Sequence, residues 1–167
     1  ASQLEQLGVK PADIKFVAVS HSHPDHIGNV TMFPQSTLLV QKAEYDWPAP
    51  VGPRFKPEQP VNKLEGDHDV FGDGSIVILS TPGHTPGHQS LLVKLPKTGA
   101  LILSGDAVHF RENYDTNGVP WFNHDRAQTL ASIDRIKQLV KTQKATLIIQ
   151  HDERDIAKLP KFPAGAK

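Results

Sequence analysis

The sequence predicts a layered fold of mixed strands and helices, of the α/β (α+β) class. Short apolar runs bounded by turn-forming residues recur along the chain, as is typical of buried strands. Two pairs of these runs are joined by short turn segments, as in antiparallel hairpins. Residues 125–142 carry apolar side chains at helical spacing, which predicts a helix that covers a sheet.

The N-terminal part of the chain is predicted to alternate short helices and strands. Ser2 and Glu5 have the spacing of a capping box and Gly8 can end a helix, so residues 2–7 are predicted to be helical. Residues 14–19 contain the apolar run Phe16-Val17-Ala18-Val19 and are predicted to form a buried strand. The further elements predicted here are a turn at 11–13, a helical turn at 27–33, a strand at 37–41 and a short helix at 42–47.

Proline and glycine divide the middle of the chain. Residues 48–60 are rich in proline and predict a loop, in which Phe55 is either a packed anchor or part of a substrate wall. One hairpin is predicted from 68–71 and 75–80, with Gly72-Asp73-Gly74 as its turn. A second is predicted from 88–95 and 100–103.

The C-terminal part contains a long connection and the clearest helix. Residues 107–124 are predicted to be an irregular loop, and a loop of that length is usually functional. Its aromatic residues either wall a substrate or only pack the loop; they are Phe110, Tyr114, Trp121 and Phe122. Asp125 suits the N-terminus of the helix at 125–142, whose apolar stripe faces the core. A strand at 145–149, a helical turn at 152–157 and a loose tail complete the prediction.

Composition limits the classes of function. A length of 167 residues predicts a single domain over 1–167, and 38% hydrophobic residues allow an ordinary core. The formal net charge is zero and no apolar run approaches a membrane span, so we expect neither nucleic acid nor a membrane as a partner. The chain has no cysteine, which excludes disulfides and thiolate ligands and is compatible with the bacterial cytoplasm and the periplasm alike.

The segment Ser20-His21-Ser22-His23-Pro24-Asp25-His26 follows the first buried strand. Imidazole nitrogen and carboxylate oxygen are natural zinc ligands, and four of them within six residues are too many for one ion. In an extended segment His21 and His23 point the same way, whereas the turn after Pro24 lets Asp25 and His26 face elsewhere. The spacing therefore predicts two neighbouring metal sites.

The pattern His-x-His-x-Asp-His after a strand resembles the metal motif of the metallo-β-lactamase superfamily of hydrolases. Three further pieces follow in the order shown by that family: Thr81-Pro82-Gly83-His84, Leu103-Ser104-Gly105-Asp106 and Ile149-Gln150-His151. The resemblance covers the chain from Phe16 onward and is strongest to the N-acyl homoserine lactonase group, through 81–89 and 103–110. It implies a metallo-β-lactamase-like αββα sandwich, of which this chain resembles roughly the C-terminal two-thirds.

The resemblance also implies a ligand set. It assigns His21, His23 and His84 to a first ion. It assigns Asp25, His26 and His151 to a second ion, with Asp106 bridging the two. Two Zn²⁺ per chain are implied, other divalent metals being compatible with the same ligands. Two close ions can share a hydroxide. Binding to a metal ion lowers the pKa of water from 15.7 to about 7, so hydroxide is available at neutral pH.

The other histidines are open to more than one interpretation. The lactonase group commonly carries a substrate-contacting tyrosine where this chain has His109, which either replaces it as a hydrogen-bond donor or lies outside the site. We therefore take Asp25, Asp106 and His109 as the candidate catalytic residues. His88 either hydrogen-bonds near the site or begins its strand. His68 and His124 are expected to be a strand-edge residue and a helix-entry residue.

The leading hypothesis is a dinuclear zinc hydrolase that opens the lactone ring of N-acyl homoserine lactones, of the quorum-quenching type. The alternatives are phosphotriester, thioester or β-lactam hydrolysis on the same metals, or a fragment that binds metal without turnover. β-Lactamases with this second site usually lack the aspartate that Asp106 would supply. We also expect a companion N-terminal segment, or another copy of the chain, to cover apolar strand faces that the chain leaves open.

Overall fold

The computed structural model describes residues 2–48 and 54–167. Residues 49–53, which fall within the predicted loop at 48–60, lie outside that part of the chain. The described strands, in chain order, are β1 (Phe16–Ala18), β2 (Thr37–Gln41), β3 (Val61–Leu64), β4 (His68–Asp69), β5 (Ile76–Ser80), β6 (Gln89–Leu95), β7 (Gly99–Leu103) and β8 (Thr146–Ile148). The α-helices are α1 (Ser2–Gln6), α2 (Pro24–Ile27), α3 (Lys42–Tyr45), α4 (Arg111–Thr116), α5 (Arg126–Thr142) and α6 (Glu153–Ile156).

The strands form two sheets. The first has the order β1-β2-β3 with parallel pairing throughout, Phe16 lying opposite Thr37 and Leu38 opposite Val61. The second has the order β4-β5-β6-β7-β8; its first four strands are antiparallel and β8 pairs in parallel with β7. The two predicted hairpins are therefore confirmed, with strand ends that differ by one or two residues. Because β5, β7 and β8 run in one direction, their carboxyl ends share an edge of the sheet.

Helix α5 covers the outer face of the second sheet, as the apolar stripe predicted. Ile133 and Ile136 are fully buried in a cluster with Leu92, Ile102 and Leu147. The side chain of Asp125 caps the helix by accepting a hydrogen bond from the backbone N–H of Gln128 at 2.9 Å.

The first sheet has a core on each face, because successive strand side chains point to opposite sides. Leu38 and Val40 face outward and are buried with Val30 and Phe55 under the short helical segments. Phe55 stacks on Tyr45 with ring centroids 5.5 Å apart, so it is a packed anchor. Leu39, between them, faces the second sheet and is buried with Leu64 and Ile78. The layers follow the order helix, sheet, sheet, helix, which is the αββα sandwich.

The buried side chain of Gln89 ties the two sheets together beneath the metal-motif loop. Its amide nitrogen donates to the backbone oxygens of Val19, at 2.8 Å, and Leu39, at 3.0 Å. Its backbone N–H donates to the oxygen of Ser20 at 2.8 Å. The start of β6 therefore fixes the end of β1 and the loop that follows it.

Several predicted elements need correction. Residues 107–124 are not irregular throughout, because α4 occupies Arg111–Thr116 and Tyr114 packs against the core covered by α5. The helical turn predicted at 27–33 is divided into α2 at Pro24–Ile27, which begins within the metal motif, and a 3₁₀ turn at Val30–Met32. The tail is not loose at its end, since the backbone oxygen of Lys167 accepts from the N–H of Lys97 at 2.8 Å.

Strand β3 was not predicted, because it holds only two apolar residues and directly follows Pro60. Among the described helices, none combines the length and the apolar character needed to cross a bilayer.

Candidate metal centre

The candidate ligands converge where four strands end. The loop after β1 carries His21 and His23, and the loop after β5 carries His84. Asp106 follows β7 and His151 follows β8. Parallel orientation of these strands within each sheet brings their carboxyl ends to one edge, and the packing of the two sheets brings the loops together. His21 and His151, which are 130 positions apart in sequence, thus lie in one site.

Three imidazoles form the first group. The Nε2 atom of His21 lies 3.0 Å from Nδ1 of His23 and 3.2 Å from Nε2 of His84. Nε2 of His84 lies 3.0 Å from Nδ1 of His23. Ligands about 2.0 Å from a tetrahedral zinc ion are separated from one another by about 3.3 Å. The triangle of nitrogen atoms therefore has the dimensions of one face of a zinc coordination sphere.

Asp25, His26 and His151 form the second group, with all three ligand atoms within 4.8 Å of one another. Oδ2 of Asp25 lies 3.3 Å from Nε2 of His26. The side chains of Asp25 and His151 are 63% and 39% exposed, whereas those of His21 and His84 are almost fully buried. The second group consequently lies at the open side of the centre.

Asp106 lies between the two groups, with one carboxylate oxygen directed to each. Its Oδ2 atom is 3.9 Å from Nε2 of His21 and 3.6 Å from Nε2 of His84. Its Oδ1 atom is 3.3 Å from Nε2 of His26 and 3.2 Å from Nε2 of His151. Oδ1 is buried and has no hydrogen-bond partner among the described residues. A buried acceptor without a donor is costly, and a cation shared by the two groups would satisfy it.

The electrostatics of His21, His23 and Asp106 suit metal binding, whereas the carboxylate of Asp106 raises the pKa of His26. Burial lowers the pKa of His21, and the neighbouring imidazoles of His88 and His26 lower it further. Burial also lowers the pKa of His23. Burial alone would raise the pKa of Asp106, but the nearby imidazoles of His26, His21 and His151 hold that pKa below its usual range. Neutral imidazoles and an ionised carboxylate are the protonation states that a metal ion requires.

His109 lies inside the centre. It is buried, its Nε2 atom is 3.5 Å from Oδ2 of Asp106, and its ring lies 4.9 Å from that of His84. Burial lowers its pKa to about 4, so the ring is neutral near pH 7. Nδ1 is buried without a partner among the described residues. A buried N–H without an acceptor costs more than a lone pair without a donor, so the single ring proton belongs on Nε2, where it faces the site.

His88 holds the backbone that carries Asp106. Its Nδ1–H donates to the backbone oxygen of Thr81 at 3.1 Å, and its Nε2 atom accepts from the N–H of Asp106 at 2.9 Å. It is fully buried, and burial lowers its pKa to about 3. Strand β6 begins one residue later, at Gln89. The structure thus supports the interpretation of His88 as a hydrogen-bonding partner near the site.

Glu44 is a supporting residue that sequence reasoning missed. Its side chain is fully buried. Oε1 accepts from the backbone N–H of Ser22 at 2.8 Å and from its hydroxyl at 2.6 Å, and Oε2 accepts from the N–H of Gly87 at 3.0 Å. One carboxylate thereby joins the His21–His23 loop to the loop of His84. No local pattern marks it, because a glutamate on a four-residue helix resembles a solvated side chain.

Two further supports were also missed. Oδ1 of Asn123 accepts from Nδ1–H of His84 at 3.0 Å, and its amide nitrogen donates to the Thr129 hydroxyl at 3.1 Å. Asp155 is buried, pairs with Arg111, and accepts from the N–H of Ile149 at 3.0 Å, two residues before His151. Asn123 thus orients a candidate ligand directly, and Asp155 acts through the backbone just before one, as outer partners of metal ligands do.

Aromatic side chains border the first group. Phe122 lies 6.0 Å from His84 and 5.4 Å from His109 between ring centroids. Trp47 lies 6.5 Å from His23, and it also contacts His124, which is an exposed helix-entry residue as expected. Trp121 is 93% exposed. Of the four aromatic residues named from the sequence, Phe122 borders the candidate ligands, Tyr114 packs against the core, and Phe110 and Trp121 are exposed.

Known proteins resemble this chain over most of its length. The pattern of the Metallo-beta-lactamase superfamily matches residues 1–151. The chain is 36% identical over 176 residues to the N-acyl homoserine lactonase AttM of Rhizobium radiobacter, with 96% of this chain and 66% of that protein covered. It is 35% identical to an N-acyl homoserine lactonase of Bacillus sp, with 95% of this chain and 65% of that protein covered.

A solved structure agrees with these relatives. An N-acyl homoserine lactone hydrolase with the product N-hexanoyl-L-homoserine bound at its catalytic metal centre superposes with a TM-score of 0.86 at 32% identity. The alignment covers 98% of this chain and 66% of that one. The chain thus spans just under two thirds of the length of these relatives.

Proposed function

The chain belongs to the metallo-beta-lactamase superfamily, within its N-acyl homoserine lactonase group, and from that membership we propose that it forms the metal-binding part of a dinuclear zinc hydrolase that opens lactone rings. The proposed substrates are N-acyl homoserine lactones. The observation that carries the proposal is Asp106, whose two oxygens each face one group of ligands. The names of the relatives support the choice of substrate.

The proposed ligands are the predicted ones. His21, His23 and His84 would hold the first ion through the triangle of nitrogen atoms described above. The second ion would lie among Asp25, His26 and His151. Imidazole and carboxylate donors without thiolates favour zinc, and they also accept other divalent metals. Two zinc ions would supply an activated water and polarise the lactone carbonyl.

The residues of the chain would then orient the substrate and move protons. His109 would donate its Nε2 proton to the carbonyl oxygen of the lactone, which becomes more negative as water adds to the carbon. Asp25, on the exposed side, would take a proton from the attacking water and return it to the alkoxide of the opened ring. Phe122 and Trp47 would flank the acyl chain.

The proposal is tested by metal analysis and a substrate panel on one zinc-loaded preparation. We expect close to two equivalents of zinc per chain and faster turnover of N-acyl homoserine lactones than of a β-lactam, a thioester or a phosphotriester. Ring opening releases one acid per lactone, so proton release follows it. A preference for the phosphotriester would reassign the substrate, and a folded protein that retains no zinc after reconstitution would refute the site.

The role of His109 has a test of its own. His109→Phe removes the donor and is expected to lower kcat for a lactone by about 100-fold, as removal of one hydrogen bond to a developing oxyanion does. Zinc content should not change, because the donor is not a ligand. His109→Tyr is the matched control, since it keeps a hydrogen-bond donor and should retain much of the activity. Loss of one zinc ion in His109→Phe would instead make His109 a ligand.

A further inference from the structure

A single serine hydroxyl lies behind both groups of ligands. The Oγ atom of Ser20 is 3.1 Å from Nδ1 of His21, a ligand in the first group. The same oxygen is 2.9 Å from Nδ1 of His26, a ligand in the second group. Both imidazoles direct their opposite nitrogen, Nε2, toward Asp106.

The position of Ser20 is itself constrained. Gly105 has a φ of +54°, and a Cβ atom added to it would lie 2.9 Å from Cβ of Ser20. The backbone just before Asp106 therefore packs directly on Ser20 and leaves no room for a larger residue at position 105. The backbone oxygen of Ser20 also accepts from Gln89, which anchors it to β6. These contacts limit how far the hydroxyl can move from either imidazole.

From this arrangement we infer that Ser20 is a positioning residue shared by both metal ions, and the inference rests on the dinuclear site of the proposed function. A neutral imidazole that binds a metal through Nε2 carries its proton on Nδ1. With both ions bound, His21 and His26 must each donate that proton, and the Ser20 oxygen can accept two hydrogen bonds. Its own hydrogen then points away from both rings. One oxygen atom thus fixes the ring orientation of one ligand at each ion.

No other support described above contacts an imidazole of each group, since His88 reaches both groups only through the backbone N–H of Asp106. Asn123 bonds to His84 and so acts on the first group alone. Glu44 accepts hydrogen bonds from Ser22 and Gly87 and not from a ligand imidazole. Ser20 therefore differs from them in a way that metal binding can measure. Asn123→Ala provides a matched control, because it removes the acceptor for one ligand at one ion.

The experiment titrates zinc into the metal-free protein in competition with a chelator of known affinity and resolves the two binding steps. Ser20→Ala should weaken both steps, each by about 10-fold, the lower end of the effect of losing an outer partner of a metal ligand. Asn123→Ala should weaken only one. If Ser20→Ala weakens a single step or neither, the inference is wrong, whatever the enzyme does to lactones.

A spectroscopic readout accompanies the titration. In the zinc-loaded protein, the Nδ1–H proton resonances of His21 and His26 should both shift and exchange faster with water in Ser20→Ala, whereas that of His84 stays unchanged. A general loosening of the fold would move all three, and would overturn the assignment. Lactone turnover is assayed separately, so a protein that hydrolyses lactones with unaltered zinc affinities in Ser20→Ala would refute this inference alone.

Discussion

Asp106→Asn is expected to release one of the two metal ions and to lower lactone turnover by more than about 100-fold, beyond the 10- to 100-fold typical of residues that only support ligands. The amide that replaces the carboxylate keeps the size of the side chain but offers only one oxygen as a ligand. Oδ1 and Oδ2 of Asp106 each face a different group, at 3.2 Å from His151 and 3.6 Å from His84. The amide can therefore bind only one of the two ions through its oxygen, and the other ion loses a ligand.

The measurement combines zinc content, lactone kinetics and thermal unfolding of the variant. The fold should survive, because the buried Oδ1 atom has no hydrogen-bond donor to lose among the described residues. Asp134→Asn, an exposed position on α5, is the control for removing one negative charge. Two equivalents of zinc with near-normal turnover in Asp106→Asn would show that Asp106 does not bridge.

The second prediction concerns self-association. Prepared by itself, the 167-residue chain is expected to self-associate in solution and not to unfold as a monomer. Among the described residues, the buried apolar cluster between the sheets consists of Leu39, Leu64 and Ile78. A cavity of about 490 Å³ opens beside it, and its lining combines Ile78, Leu91 and Leu103 with the second group of candidate ligands, Asp25, His26 and His151. Phe16, on the edge strand β1, is 42% exposed and contacts Phe71, which is 60% exposed.

The expected association follows from the free energy of apolar surface that remains in water. At about 25 cal/mol per Å², a few hundred Å² of wet apolar surface forfeits several kcal/mol, comparable with the whole stability of a domain. Sedimentation should therefore find dimers or larger species. A monomer with a cooperative melt would show that the exposed apolar surface is stable in water. Charged substitutions at Phe16 and Phe71 would serve as a check, because they should reduce association.

Much of the site was predictable from sequence because its ligands occur in short motifs. The four ligands of the first motif lie within six residues, and the relative positions of such near neighbours are largely set by local backbone geometry. The other three each directly follow an apolar strand, which indicates that they lie at a sheet edge. The other predicted strands and the covering helix α5 were confirmed. The first strand was predicted to be buried, but β1 is an edge strand in which Phe16 and Ala18 are exposed and Val17 is half-buried.

Helix α4 and strand β3 were not predicted from the sequence. Helix α4 was missed because its sequence, Arg111 to Thr116, is almost entirely polar, and it is held by the packing of Tyr114 against the core. Strand β3 was missed because its pairing with β2, rather than its own composition, makes it a strand. Both are cases in which tertiary contacts outweigh local preference.

The sequence alone determined the chemistry of this protein: the residue types that can hold metal, their grouping into two sites, and the layered fold beneath them. The tertiary structure alone decided how those residues are oriented. Glu44 becomes a buried acceptor for two loops, and Ser20 becomes a common partner of two imidazoles, only when segments from both sheets meet. The physical reason is that hydrogen bonds between distant segments depend on distances of a few tenths of an ångström, which the packing of the sheets sets and no local pattern encodes.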